Sequence, residues 1–271
     1  MASLSEKRAA FRSLHKSGCF VMPNPWDAGS AKYLASLGFA AIATTSTGFA
    51  WSRGLADGQV SLDMVLGHVA ELACATDLPL NVDFEAGFAT TAQCVGESVR
   101  RCIEAGASGL SIEDFPGPGA SALYPIDIAI DRLRAARAAI DGSGSGVVLT
   151  ARSEGFLRGA PDLDETIRRL NAYTAAGADC VYAPGIRTEE HIRAIVGAVA
   201  PKPVNVLVAG PAHLGVSELR ALGVRRISVG SALAGAAWGG FMRAAKEVAE
   251  QGTFKSFASN AAGADVVKAF R

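Results

Sequence analysis

The chain has 271 residues, enough for one large α/β barrel or two modest domains. Hydrophobic residues make up 49% of it and charged residues 19%, and its 26 lysines and arginines balance its 26 aspartates and glutamates. A balanced chain has no global field that would attract nucleic acid or an anionic membrane. We therefore expect neither partner and predict a small-molecule role.

The amino-terminal segment and the cysteines indicate the compartment. Residues 1–18 are charged and helix-like rather than a signal peptide, and the apolar segments are short and broken by glycine, proline or charge. The five cysteines are odd in number and lack paired spacing, which favours buried thiols over disulfides or a zinc site. We predict a cytoplasmic protein.

A helical segment that stops at a glycine and leads into a short apolar run recurs along the chain. The glycines are Gly38, Gly106, Gly177 and Gly223. Glycine supplies the left-handed residue that ends a helix, and an apolar run after it is typical of a buried parallel strand. The recurrence indicates a repeating β/α unit.

Eight apolar runs qualify as strands. They span roughly residues 18–22, 39–44, 79–84, 108–112, 146–151, 179–183, 203–208 and 226–229. Eight strands alternating with helices predict a (β/α)₈ TIM barrel, whereas a doubly wound sheet would suit five or six strands and is the second choice. No interdomain linker is apparent, so we predict a single barrel domain over residues 1–271 with a helical tail at about 251–271.

Polar residues follow several of these strands at their carboxyl ends, where barrels carry their active sites. The third strand ends in Asp83 and Glu85, the fourth in Glu113 and the fifth in Arg152. A polar loop follows the second strand and contains Thr45, Ser46, Thr47, Gly48 and Asp57. The seventh strand carries the side-chain amide of Asn205. We expect these side chains to meet at one mouth of the barrel.

The acidic residues predict a metal site. Asp83 and Glu85 are two positions apart, so strand geometry points both to one face. Clustered carboxylates repel and raise one another's pKa values unless a cation lies among them. A set with oxygen ligands and no histidine or cysteine suits Mg²⁺, or Mn²⁺, rather than zinc. Salt bridges at a barrel rim are the alternative for any single acid.

Two further features could hold an anionic substrate. The Arg152 guanidinium beside a cation site is well placed to bind a carboxylate or phosphonate in bidentate fashion, although pairing with Glu113 is the simpler alternative. The TTSTG segment, residues 44–48, has backbone amides and hydroxyls that could bind a substrate carboxylate, or it is merely a turn.

Several motifs in order give the chain a family resemblance over roughly residues 5–250. They are PNPWDAGSAKYLASLGFAAIATTS, VDFEAGF, GLSIEDF, TARSEGF and RRLNAYTAAGAD. The chain resembles members of the isocitrate lyase/phosphoenolpyruvate mutase superfamily. That resemblance implies a bond-cleaving lyase or mutase that breaks or forms a carbon–carbon or carbon–phosphorus bond next to a 2-oxo acid, through an enolate-like species.

The resemblance also implies residue roles. Asp83 would ligate magnesium directly, while Asp57, Glu85 and Glu113 would hold its waters. Ser46 and Gly48 would bind the 2-oxo acid carboxylate, and Arg152 would stabilise charge on the substrate. It further implies a homo-oligomer, often a tetramer built as a dimer of dimers, in which the last barrel helix is exchanged between subunits.

The segment after the fourth strand departs from the resemblance. It reads IEDFPGPGASALYP, without the Lys-Lys/Arg-Cys-Gly-His loop of isocitrate and 2-methylisocitrate lyases and without the asparagine of the mutases and phosphonopyruvate hydrolases. A loop without a proton donor suits decarboxylation, because carbon dioxide leaves unaided. The leading hypothesis is therefore a magnesium-dependent, oxaloacetate decarboxylase-like lyase.

Alternatives stay open at this point. Carbon–phosphorus mutase or hydrolase chemistry on phosphonopyruvate or phosphoenolpyruvate is the nearest, followed by (methyl)isocitrate lyase-like cleavage and a non-catalytic binding barrel. A phosphate-binding barrel would use the glycines after the last two strands. A Schiff-base aldolase is disfavoured because it needs a lysine at a strand's carboxyl end, and Lys202 lies at a strand's start.

Overall fold

The computed structural model describes residues 2–270, in which eight strands alternate with helices. The strands are β1 (Phe20–Met22), β2 (Ile42–Ala43), β3 (Leu80–Asp83), β4 (Gly109–Glu113), β5 (Val148–Arg152), β6 (Cys180–Tyr182), β7 (Val204–Leu207) and β8 (Arg226–Ser228). The helices are α1 (Leu4–Leu14), α2 (Ala28–Ser36), α3 (Ser46–Ser52), α4 (Leu62–Ala75), α5 (Ala92–Glu104), α6 (Ile126–Ser143), α7 (Leu163–Ala175), α8 (Glu189–Val199), α9 (Val216–Ala221), α10 (Ala232–Gln251) and α11 (Gly263–Lys268), with a 3₁₀ helix at Lys255–Ser259.

The strands form one parallel sheet that is nearly closed into a barrel. Their order is β1-β8-β7-β6-β5-β4-β3-β2, so β1 and β2 meet at the seam. There the Ala43 amide donates to the Pro23 carbonyl at 3.0 Å. The Asn24 side chain donates to Thr44 and accepts from the amides of Val229 and Gly230, which joins both sides of the seam. The predicted (β/α)₈ TIM barrel is confirmed.

Local sequence signals account for the alternation of helices and strands. Side-chain oxygens of Thr45, Ser61, Thr91, Asp162 and Thr188 cap the starts of α3, α4, α5, α7 and α8. At the end of α5, Gly106 has φ +115° and an added Cβ would lie 2.7 Å from the Ala73 side chain. That position therefore requires glycine for both its backbone angle and its space.

An aromatic cluster closes the amino-terminal end of the barrel. The Phe11 side chain on α1 is fully buried and makes edge contacts with His15 and Phe20. Gly109 on β4 leaves space for the Phe11 ring, because a Cβ at this position would lie 2.4 Å from that ring. With this end filled, the open end lies at the carboxyl ends of the strands.

Helix α10 is the least buried long helix of residues 2–270. It buries only Ala234 and packs chiefly against the 3₁₀ helix that follows it, while Phe241 and Met242 stay more than 60% exposed. It therefore covers little of its own barrel, unlike a regular outer helix. Within the same residues, no helix combines the length and apolar character needed to cross a membrane.

Candidate active site

A pocket of about 740 Å³ opens at the carboxyl ends of the strands. Its lining includes most of the side chains proposed from the sequence, namely Thr45, Ser46, Thr47, Asp57, Asp83, Glu85, Glu113, Arg152 and Asn205. Gly48 does not join them. It is buried, its amide donates to the Thr45 hydroxyl at 3.2 Å, and an added Cβ would lie 2.7 Å from Thr45.

Arg152 forms the centre of a carboxylate cluster. Its Nη1 lies 3.0 Å from Asp83 Oδ1 and its Nε lies 3.4 Å from Glu113 Oε2, while Glu154, fully buried, also contacts Nε. Burial alone would lower the pKa of this guanidinium, but the three carboxylates together hold it well above its usual value. Arg152 thus stays charged and fixes two acids from different strands beside each other.

Glu85 lies in a strained turn directly after β3. Its backbone has φ +45°, and Phe88 in the same turn has φ +51°, values that non-glycine residues adopt at a cost. Its carbonyl accepts the Glu113 amide at 2.9 Å, which binds the turn to β4. Burial, with the charges of Asp83 and Asp57, raises the pKa of Glu85 to about 7.

The side chains in this cluster fit a divalent cation held largely through water. Glu85 Oε1 is buried without a hydrogen-bond partner, and burial raises the pKa of Glu113 even though Arg152 opposes the rise. Both acids would be better satisfied by a cation or its waters. Within residues 2–270, no three acidic, histidine or cysteine side chains lie close enough to ligate one ion together, so water would have to complete the shell. The donors are all oxygens, as a hard cation requires.

The loop after β2 brings backbone and hydroxyl groups to the same edge. Thr45 caps α3, and the Ser46 amide points to Asp83 Oδ2 at 3.4 Å. The Thr44 hydroxyl accepts from the Asp83 amide at 2.8 Å and aligns β3 with this loop. Asp57 lies further along the loop, exposed at the pocket rim. The loop therefore presents polar groups next to the acids, without a cationic residue of its own in the lining.

Asn205 lies on the pocket floor, where its amide is already paired. Its Oδ1 accepts from Arg226 Nε at 2.8 Å, and its Nδ2 donates to Ser228 Oγ at 3.0 Å. Arg226 is 2% exposed, and its Nη1 also lies 3.3 Å from Nε2 of His15, the residue after α1. Asn205 thus helps to order the side chains of the pocket floor. A ligand would contact its amide only while Arg226 and Ser228 hold that amide in place.

Tyr182 and Arg158 are among the lining residues that sequence reasoning missed. Tyr182 ends β6, and its ring lies 5.2 Å from Arg152 Cζ. Arg158 pairs with Glu154 at 3.1 Å and lies over the Phe115 ring at 3.9 Å. Tyr182 belongs to an apolar run and resembles core, while Arg158 lies six residues past Arg152 in a loop. Strand-end position was the available signal for Tyr182.

A buried arginine outside the pocket holds the acidic turn in place. Arg132 on α6 is 1% exposed and donates to the carbonyls of Ala86, Ala89 and Thr90, the first two through Nη2. These carbonyls belong to the turn that contains Glu85. A cation on a neighbouring helix therefore stabilises the strained backbone that presents the acid.

The segment after β4 covers one side of the pocket. Gly117, Pro118 and Gly119 line it, and Pro118 lies so close to Gly58 that a Cβ on Gly58 would be 2.3 Å from its ring. Gly58 also has φ +77°, a conformation that favours glycine. Among residues 2–270, the lining contains no cysteine, histidine or lysine.

Comparisons with known proteins agree with this geometry. The phosphoenolpyruvate phosphomutase family model matches residues 11–249. An oxaloacetate decarboxylase from Paraburkholderia xenovorans (strain LB400) is 31% identical over 80% of this chain and 75% of its own length. A 2-methylisocitrate lyase from Escherichia coli (strain K12) is 31% identical over 78% of this chain and 74% of its own.

A crystal structure adds a closer likeness. A provisionally named lyase/mutase from Burkholderia cenocepacia J2315 has a TM-score of 0.93 and 45% identity, covering 98% of this chain and 96% of that one. The superfamily consists of lyases and mutases that act on carbon–carbon or carbon–phosphorus bonds, typically with a divalent metal. The chain belongs to the phosphoenolpyruvate phosphomutase family, within the isocitrate lyase/phosphoenolpyruvate mutase superfamily.

Proposed function

We propose that the protein is a magnesium-dependent lyase for a small 2-oxo acid, with oxaloacetate decarboxylation as its reaction. The observation that carries this is the Arg152 cluster with Asp83, Glu85 and Glu113 in a pocket whose lining, within residues 2–270, offers no cysteine, histidine or lysine. Loss of carbon dioxide needs no proton donor on a loop, whereas retro-aldol cleavage needs a base for the substrate hydroxyl.

The metal, when bound, would supply Lewis-acid stabilisation of the developing enolate. Asp83 would ligate it directly, and Asp57, Glu85 and Glu113 would hold its waters, with Mn²⁺ as a possible substitute. The rise in the pKa of Glu85 and Glu113 supports this, because a cation would restore both to their ionised forms.

The other groups would bind and orient the substrate. Thr45, Ser46 and Thr47 line the pocket beside Asp83, and their backbone amides and hydroxyls would suit the carboxylate of the 2-oxo acid. Arg152 would offset negative charge as it moves from the leaving carboxylate toward the 2-oxo oxygen. The Pro118 segment and Gly58 would exclude water from that face of the site.

A turnover panel tests the proposal. The protein is incubated with Mg²⁺ and oxaloacetate or phosphonopyruvate, and pyruvate and phosphate are followed by proton and phosphorus NMR. We expect pyruvate from oxaloacetate above the rate with metal alone, abolished by EDTA. Phosphate or phosphoenolpyruvate from phosphonopyruvate would instead establish the carbon–phosphorus alternative, which the family model favours. The absence of product from both substrates would contradict the proposal.

A further inference from the structure

Decarboxylation leaves an enolate that must take up a proton at carbon, and one side chain in the pocket is placed to provide it. Carboxyl and guanidinium groups apart, the Brønsted acids in the part of the lining that the structure describes are the hydroxyls of serine and threonine and a single phenol, Tyr182. Aliphatic hydroxyls are far weaker acids than a phenol, whose ordinary pKa is about 10. Among these hydroxyl groups, Tyr182 is therefore the strongest acid.

Tyr182 is fixed within the active-site end of the barrel. It ends β6, opposite Arg152 in the ladder with β5, and is 7% exposed. Its carbonyl accepts from the Ser153 amide at 2.8 Å, and its ring lies 5.2 Å from Arg152 Cζ. The phenol thus lies beside the guanidinium that holds Asp83 and Glu113.

A chain of hydrogen bonds on the pocket floor leaves the phenol proton available. Arg226 donates to Asn205 Oδ1, so the amide of Asn205 must direct its Nδ2 toward Ser228 Oγ. The Ser228 hydroxyl, which accepts from Asn205 and also lines the pocket, keeps its own proton to donate, and donation to Tyr182 would lower the pKa of the phenol. A tyrosine that accepts from Ser228 has its O–H free to donate into the pocket.

We propose that Tyr182 is the proton donor to the enolate carbon, a catalytic role that rests on the proposed lyase function. The electron pair of the enolate carbon–carbon double bond forms the new C–H bond with the phenol proton, and the enolate C–O⁻ becomes the ketone of pyruvate. The tyrosinate that remains takes a proton from water, with Ser228 as its hydrogen-bond partner.

The surroundings suit a phenol that holds its proton until the enolate forms. Burial raises the pKa of Tyr182 to about 12, and the Arg152 charge acts in the opposite direction. The phenol is therefore protonated at neutral pH, while the adjacent guanidinium stabilises the tyrosinate formed by proton transfer.

The reverse reaction isolates this step. We would incubate the full-length protein with Mg²⁺ and pyruvate in D₂O and follow loss of the methyl signal by proton NMR. We expect the wild-type protein to exchange the methyl protons and Tyr182→Phe to do so at least about 100-fold more slowly. Tyr124→Phe is the matched control, because Tyr124 lies outside the pocket lining. Thermal unfolding and Mg²⁺ titration check that each variant is folded and binds metal.

Oxaloacetate consumption supplies the second measurement. Carbon–carbon cleavage precedes proton transfer, so Tyr182→Phe should still consume oxaloacetate while releasing enolpyruvate, which forms pyruvate in solution. A parallel loss of oxaloacetate consumption, methyl-proton exchange and Mg²⁺ binding in Tyr182→Phe would show a structural role and overturn the proposal. Unchanged exchange in the variant, or no exchange by the wild-type protein, would also overturn it. Exchange that depends on Tyr182, without oxaloacetate turnover, would support the donor and contradict the decarboxylase.

Discussion

Arg152 shows how one side chain sets the charge state of a whole site. It contacts three carboxylates, two of which end neighbouring strands β3 and β4. Strand-end position in the sequence indicated Asp83, Glu113 and Arg152, because parallel strands must place their carboxyl ends at one edge. Which nitrogen meets which oxygen depends on rotamers that no sequence pattern specifies.

Replacing Arg152 by lysine tests that arrangement. Lysine keeps the charge but cannot bridge several carboxylates with a planar fork. We expect Arg152→Lys to lower kcat/KM for oxaloacetate by about 100-fold, the loss typical of a charge-stabilising donor. Steady-state kinetics at saturating Mg²⁺ measure this. Arg134→Lys, exposed on α6, is the control, and equal activity of Arg152→Lys and wild type would contradict the assigned role.

Sequence reasoning missed Tyr182 and assigned Gly48 to the site, and both outcomes have the same physical reason. Tyr182 lies in a short apolar strand, so its type indicates core, yet it lines the pocket. Gly48 fits the polar TTSTG segment but is buried by packing against Thr45 and Ala234. A three-residue strand or a helix start is too short for periodicity to assign a face.

At the scale of elements, α6 supports the acidic turn after β3 through Arg132. We expect Arg132→Met to destabilise the protein by about 3 kcal/mol, since three carbonyls lose a charged donor. We also expect weaker Mg²⁺ binding, because the turn presents Glu85. Urea unfolding and calorimetric Mg²⁺ titration measure the two effects. Arg132→Lys should recover part of both, and unchanged Mg²⁺ affinity in Arg132→Met would contradict the coupling.

The packing of α3 on α4 predicts a pH dependence of stability. The His68 ring stacks on Phe49 with centroids 3.9 Å apart, and neither ring nitrogen has a hydrogen-bond partner. Burial lowers the pKa of His68 from 6.5 to about 4. The unfolded chain therefore binds the proton more readily, so the contribution is fully present above pH 6.5 and is lost as the pH falls toward 4.

Replacing His68 should remove this dependence. The difference in pKa corresponds to about 3 kcal/mol of unfolding free energy. We expect His68→Phe to lose less stability than the wild type between pH 7 and pH 4.5, as measured by urea unfolding. His213→Phe, at an exposed position, should behave like the wild type. Identical pH profiles for His68→Phe and wild type would contradict the assignment.

At the scale of the whole molecule, the sequence patterns predicted the barrel but did not predict the position of the last helix. The recurring helix, glycine and apolar run indicate eight β/α units because each unit must bury its strand and cap its helix locally. The apolar side of α10 indicates that another protein surface packs on this helix, but the amphipathic periodicity does not identify that surface. In the structure Trp238, Phe241 and Met242 are exposed.

The exposed side of α10 suits the homo-oligomer that the family resemblance implies. We propose a dimer of dimers in which α10 is exchanged between subunits. Light scattering during size exclusion should give the mass of four 27.9 kDa chains. Phe241→Glu should yield smaller species, because a charge would then be buried at the interface, whereas Ile128→Glu on α6 should not. A wild-type monomer would contradict the assembly.

The central claim, a divalent-metal site that stabilises an enolate, is tested most directly by calorimetry with oxalate, whose planar dianion resembles the pyruvate enolate. We predict that oxalate binds the wild-type protein with Mg²⁺ and does not bind when EDTA replaces it. Asp83→Ala should abolish that binding, while Asp63→Ala, an exposed aspartate paired with Arg101, should keep it. Equal oxalate binding with and without Mg²⁺, or full binding by Asp83→Ala, would contradict the claim.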